Sequence, residues 1–258
     1  MSITEKLVKI AENVPKVYSA GFEAGKAEGG DSTEAYNNGF IDGQKSEYDR
    51  FWDSFQKDDM ERNCDYRYSG AGWTDNTFKP KYSMKPTSAV SMFRRNAFKG
   101  NMVDLFSQLG ITLDFSECTL MSYAFYECNA SRIGVVDCTS ATDLTGLFGY
   151  AYFCEIIDEV ILNEQNTFNN SFRYCPSLEE IRITGTIGQN GFNIRWSSKL
   201  TAASLYSIVN ALSSTTTGLT ITLPTTSEAN YNANPPEDAP QTWAELIATR
   251  SNWTFAYL

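Results

Sequence analysis

An α/β solenoid of short stacked repeats is the fold class that this 258-residue sequence predicts, and three features recurring in phase predict it. Phe106, Phe125, Phe148 and Phe172, at intervals of 19, 23 and 24 residues, open the phrases FSQL, FYEC, FGYA and FRYC. Three positions after each Phe stands an apolar or small residue: Leu109, Cys128, Ala151 and Cys175. An alternating run follows each phrase: ITLDF from Ile111, VVDC from Val135, EVILN from Glu159 and EIRIT from Glu180. One strand plus one turn or helical piece in every ~20–29 residues is the signature of a leucine-rich-repeat solenoid. A lone repeat has nothing to bury its apolar face against. The expected inward residues Leu113, Val136, Ile161 and Ile181, with the recurrent Phe, become a core only when neighbours stack.

Taken in order, the chain opens on a region, 1–57, that reads as helical and coiled-coil-like. Ile3, Leu7, Ile10, Val14 and Val17 advance by alternating steps of 4 and 3, and Ser2 with Glu5 forms a capping-box pattern. Two heptads interrupted by Pro15 make a marginal two-stranded coil. The seam therefore implies self-association as a bundle, for instance of three chains, or docking into a larger assembly; folding onto its own solenoid is the alternative. Glycines crowd Gly21–Gly43, and a short helix over Ser46–Gln56 then brings Tyr48, Phe51, Trp52 and Phe55 to one sticky face. That face fits a partner surface or packing on the next domain.

Residues 58–100 read as an irregular linker and N-terminal cap, with a helix expected from Thr87 to about Asn96. A further helix is expected over Met102–Leu109, closed by Gly110. The solenoid is assigned to 101–199 and a C-terminal α/β cap to 200–258. In that cap Leu200–Leu212 is a helix, Gly218–Pro224 a strand, Thr225–Pro240 a polar loop, Gln241–Arg250 a helix and Trp253–Tyr257 a strand.

Charge and composition exclude several functions. Hydrophobic residues make up 42% of the chain and aromatics 14%, so it folds rather than staying disordered. The net charge of −10 makes the solenoid unattractive to nucleic acid. A basic segment (Arg67, Lys79, Lys81, Lys85, Arg94, Arg95, Lys99) interrupts this, interleaved with Trp73, Phe78, Tyr82 and Phe93. It suits an anionic ligand or docking against acidic parts of the same particle. No apolar run is long enough to insert into a membrane, and no export leader is visible. Cys64, Cys118, Cys128, Cys138, Cys154 and Cys175 include no C-x-x-C pair, and Cys128 and Cys175, two repeats apart at roughly 4.8 Å per repeat, are too distant to bridge. They read as small buried hydrophobes.

Histidine is absent, which removes Ser-His-Asp and Cys-His machinery and His-ligated metals. The carboxylate pairs Asp158 with Glu159 and Glu179 with Glu180 sit at strand starts, where alternation sends neighbours to opposite faces. No enzyme activity, cofactor or metal is expected. The exposed tyrosines Tyr123, Tyr126, Tyr150 and Tyr152 are the candidates for surface binding, with rung packing as the alternative.

The FxxC phrases followed by short strands resemble BspA-type leucine-rich repeats of bacteria and their phages. The order ITEKL and KIAENVPKVY, then YNNGF and GQKSEYDRFWDSFQ, then GWTDNTFKPKY and KPT, then repeats, SIVNAL and IATRSNWT is similar to a group of proteins encoded by phages and prophages of gut Firmicutes. The likeness runs over essentially the whole chain. It implies a virion component of the tail or its tip, released by lysis, with the N-terminal helices attached to other virion proteins and to copies of itself. The solenoid would then present its surface to a host cell-surface polymer or protein, or to neighbouring virion subunits. A host-encoded adhesin with the same repeats is the competing expectation.

Overall fold

Arg132–Asp137 (β1), Ile156–Leu162 (β2) and Glu180–Gly185 (β3) lie side by side in chain order as one parallel sheet. The computed structural model describes residues 64, 67–80 and 83–258. The seam Ile3, Leu7, Ile10, Val14 and Val17 and the aromatic face Phe51, Trp52 and Phe55 lie outside the described residues.

Register explains the sheet. Arg132 pairs with Ile156 and Ile156 with Glu180, so each strand repeats the one before it at a spacing of 24 residues. Ile133, Val136, Ile157, Val160, Ile181 and Ile183 turn inward and are buried. Two of the four expected inward residues differ. A bulge between Ile157 and Val160 slips β2, so Val160 and Leu162 enter the core and Ile161 is left half-buried. Leu113 is likewise half-buried, its segment making only an isolated bridge to Met84.

Opposite the strands, the chain forms a second parallel ladder from turns. In the segment centred on Phe125, Tyr123 and Glu127 take φ of 60° and 55°; around Phe148, Gly146 and Tyr150 take 62° and 60°. Around Phe93 the same places are filled by Ser91 and Arg95, and around Phe172 by Asn170 and Tyr174. This left-handed alternation aims every second N–H at the next segment. Ser91, Phe93 and Arg95 donate to the carbonyls of Ser122, Ala124 and Tyr126; Tyr123, Phe125 and Glu127 donate to Thr145, Leu147 and Gly149. A left-handed residue costs roughly 1 kcal/mol without a compensating contact, and here the ladder bonds offset it. The same alternation excludes the helix expected over Thr87–Asn96, because Ser91 and Arg95 break the right-handed turn.

The ladder sets a column of rings. Tyr68 stacks on Phe93 at 5.6 Å, Phe93 on Phe125 at 5.0 Å, Phe125 on Phe148 at 5.5 Å, and Phe148 on Phe172 at 5.4 Å, with Phe192 closing the row at 5.1 Å. The column member before Phe125 is thus Phe93, not Phe106. Phe106 belongs to the helix α1, Met102–Leu109, and meets Phe78 to the side, while Leu109 is exposed. α1 is inserted between two segments and lengthens that interval to 32 residues, which hid the equivalence. Its bounds follow from local chemistry: the Asn101 side chain accepts from Val103 and Asp104, and Gly110 leaves at φ 65°. The ladder also starts before residue 100, since Cys64, Tyr68 and Gly70 donate to Ser88, Met92 and Arg94.

Helix α2, Ala202–Ala211, ends the three-stranded sheet. Where a fourth strand would pair with β3, the backbone N–H groups of Ile181 and Ile183 donate to the hydroxyls of Ser204 and Ser207, which donate in turn to the carbonyls of Glu179 and Ile181. A sheet edge that would template another chain is thereby satisfied. Beyond it, Leu219–Leu223 (β4) and Trp253–Tyr257 (β5) pair in parallel around Ser227–Ala233 (α3) and Trp243–Ala248 (α4). α3 falls inside the expected loop 225–240; it forms because Tyr231 is fully buried against Trp243 and donates to the Pro240 carbonyl at 2.6 Å.

All six cysteines are buried, with no disulfide. Burial pushes the Cys128 and Cys175 thiols up to about 12, and raises Cys138 and Cys154 too. Acidic groups raised this way favour folding below their ordinary value of 9.0 and lose that contribution as pH climbs toward the folded value. Each such thiol is expected to withdraw on the order of 1 kcal/mol per pH unit above 9. Urea midpoints should therefore be flat from pH 7 to 8.5 and fall steeply from pH 9 to 11; a flat profile throughout would contradict this burial.

Candidate functional site

The four sequence-selected tyrosines come together on one edge of the turn ladder, and the structure extends them into a strip. Tyr123 meets Tyr126 at 5.3 Å, Tyr126 meets Tyr150 at 5.3 Å, Tyr150 meets Tyr174 at 5.1 Å, and Tyr174 meets Trp196 at 4.7 Å. Tyr152 stands beside Tyr150 at 5.9 Å. Tyr123, Tyr152 and Tyr174 are exposed, at 37%, 45% and 36%, but Tyr126 and Tyr150, expected to be exposed, are half-buried, as is Trp196, because each packs between rings of neighbouring segments.

Local conformation places these rings. Tyr123, Tyr150 and Tyr174 are held at positive φ, at places flanking the column phenylalanines by two residues. Space for them is left by glycine: a Cβ on Gly146 would sit 2.6 Å from the Tyr123 ring, and one on Gly149 would sit 3.0 Å from the Tyr126 ring. The aromatic row thus depends on small residues one segment further along.

Arginines fill the gaps. Arg94 lies over Tyr123 at 5.8 Å and Tyr126 at 5.4 Å; Arg173 lies over Tyr150 at 5.5 Å and Tyr174 at 5.4 Å; Arg195 lies 4.0 Å over Trp196. Arg94 and Arg173 both directly follow a column phenylalanine, the one signal in the sequence that could have paired FRRN with FRYC. The Nε of each is buried without a hydrogen-bond acceptor, so the ring faces are what these guanidinium groups meet there. Burial, with neighbouring Tyr150 and Glu127, raises the Tyr126 phenol above its ordinary 10.0, keeping it a neutral hydrogen-bonding group at physiological pH.

The acidic candidates are tied up separately. The bulge in β2 leaves both Asp158 and Glu159 partly exposed rather than sending them to opposite sides. Each faces its own arginine, Asp158 at 2.6 Å from Arg132 and Glu159 at 3.6 Å from Arg182, and Glu179 pairs with Lys199 at 3.0 Å. In the basic segment, Lys85 meets Glu117 and Asp114 at 3.0 and 3.5 Å, and Arg95 meets Glu127 at 3.1 Å. Lys99 lies 5.4 Å over exposed Phe153. Among the described residues no three Cys, Asp or Glu side chains gather as metal ligands, and no helix is long and apolar enough to cross a membrane.

Comparison with family models, curated proteins and solved structures finds no match to this chain.

Proposed function

We propose that this chain is a non-enzymatic binding component of a phage virion, a BspA-type leucine-rich-repeat solenoid of the tail or its tip. In this reading the N-terminal region attaches it to other virion proteins and to its own copies, and the solenoid surface meets the host cell. The binding half of the reading is supported by one observation above the others: five aromatic rings in unbroken contact along a partly exposed edge, with arginines between them. Rigid aromatics with few rotatable bonds and interposed arginines are the residues that carry binding energy at low entropic cost. The virion half is supported by the resemblance of the sequence order.

Two measurements test it. Particles purified after prophage induction should contain the chain by mass spectrometry, and the purified chain added in excess should slow particle adsorption to cells. Tyr152→Ala with Tyr174→Ala should weaken that competition by ~10-fold or more, the loss of about 1.4 kcal/mol. Recovery of the chain in the host envelope without induction, and its absence from particles, would replace this reading with the host adhesin.

A further inference from the structure

Beside Trp196, where the strip ends, the surface dips into a groove of about 470 Å³ whose lining carries no charged side chain. Four asparagines line it, Asn169, Asn170, Asn190 and Asn193, together with the threonines of β4 and two aromatic residues, Phe168 and Trp196.

The asparagines are oriented, not loose. The Asn190 side-chain oxygen accepts the backbone N–H of Thr220 at 2.8 Å, and that of Asn193 accepts the backbone N–H of Arg195 at 3.3 Å. With each oxygen engaged by a backbone donor, the Nδ2 of each amide is the group left to donate, and neither has a partner among the described residues. On the other wall, Asn170 Nδ2 donates to the Asn169 oxygen at 3.0 Å, which leaves Asn169 a donor and Asn170 an acceptor. The Thr222 hydroxyl, on β4 alongside the 190–194 segment, is also without a described partner, and both donates and accepts. The backbone holds this arrangement in place: Thr222 donates to the Phe192 carbonyl and accepts from Ile194, fixing β4 against the 190–194 segment, and Gly191, at φ 97°, leaves the floor open.

We infer that this groove binds a neutral glycan, an uncharged polyhydroxylated chain. Water leaving the groove must be replaced by groups that both donate and accept at short intervals, or the amides are left unpaired. Sugar hydroxyls do this. An acidic ligand would find no cation in the lining; the guanidinium groups of Arg195 and Arg173 lie over the Trp196 ring, at 4.0 and 6.0 Å. An apolar peptide would strand four amides. Because Trp196 belongs to both features, a chain molecule held in the groove can run on over Trp196 and Tyr174. This inference rests on reading the molecule as a binding component and names the class of ligand.

The test is titration calorimetry of the full chain with neutral hexasaccharides (glucan, mannan, galactan and N-acetylglucosamine series) against oligogalacturonate and polyglycerol phosphate. At least one neutral series should bind with a Kd below about 1 mM. Thr222→Val, which keeps shape and strand while deleting the hydroxyl, should weaken it ~5-fold or more, and Asn193→Ala ~10-fold. Phe153→Ala, outside both the groove and the strip, should leave the affinity and its Thr222 dependence intact. The inference is overturned if no neutral series binds, if only the anionic probes bind, or if Thr222→Val is indifferent. A chain found in particles that binds no neutral glycan defeats this inference alone. One that binds by the Thr222 criterion but is absent from particles defeats the virion reading alone.

Discussion

Replacing Phe148 by alanine is expected to destabilise the protein by about 3–5 kcal/mol, the range for a fully buried ring whose site cannot collapse. The ring is 0% exposed and stacks on both Phe125 and Phe172, at 5.5 and 5.4 Å. Its backbone is pinned as well, the Phe148 N–H donating to Ser171, so neighbours cannot slide in to fill the space. Domains of this size hold only about 5–15 kcal/mol in total, so the loss should move the urea midpoint by a large fraction of its value. Phe153→Ala is the control: the ring is 50% exposed, and its loss should stay within about 1 kcal/mol. Equal midpoints for the two variants would mean that the ring column does not carry the core.

Gly185→Ala should cost about 3 kcal/mol or more, combining overpacking with left-handed strain. Gly185 ends β3 at φ 78°, and an added Cβ would clash with the Leu162 carbonyl oxygen on β2. The obstacle is backbone, so relief requires prying β3 from β2 at the register Leu162 to Gly185. Gly218 separates the two contributions. Its φ of 75° is nearly the same, but nothing lies within 4 Å of the added atom, so Gly218→Ala should cost only the strain, about 1 kcal/mol. Chemical denaturation of the pair reads the difference; indistinguishable midpoints would refute the close approach of β2 and β3.

The binding strip has its own dependence on small residues. Ala at Gly149 would press on the Tyr126 ring at 3.0 Å and on the Asn170 carbonyl oxygen at 3.2 Å, so the substitution shifts the strip without touching any aromatic. This links ring placement to residues that no surface census would single out.

What the amino-acid order determined was whatever short-range chemistry decides. Apolar alternation placed strands from Val135 and from Glu180, overlapping β1 and β3, although β1 begins three residues earlier, at Arg132, and Gly110 closed α1. Tyr123, Tyr126, Tyr150 and Tyr152 could be singled out in the sequence, but their meeting along one edge, with Tyr126 and Tyr150 half-buried between neighbours, is set by the stacking of segments. Tertiary structure decided the rest, because it depends on contacts between segments 20 to 32 residues apart. Ser91 and Arg95 carry no local preference for positive φ, and adopt it because their N–H groups find Ser122 and Tyr126 in the next segment. Ile161 lost its inward place to a bulge set by pairing with β3, and Phe93 took the column position that spacing had given to Phe106. Trp196 and the asparagine groove are further from the sequence still. Asn190 and Asn193 acquire a direction only when Thr220 and Arg195 supply backbone donors, and that pairing exists only in the folded chain.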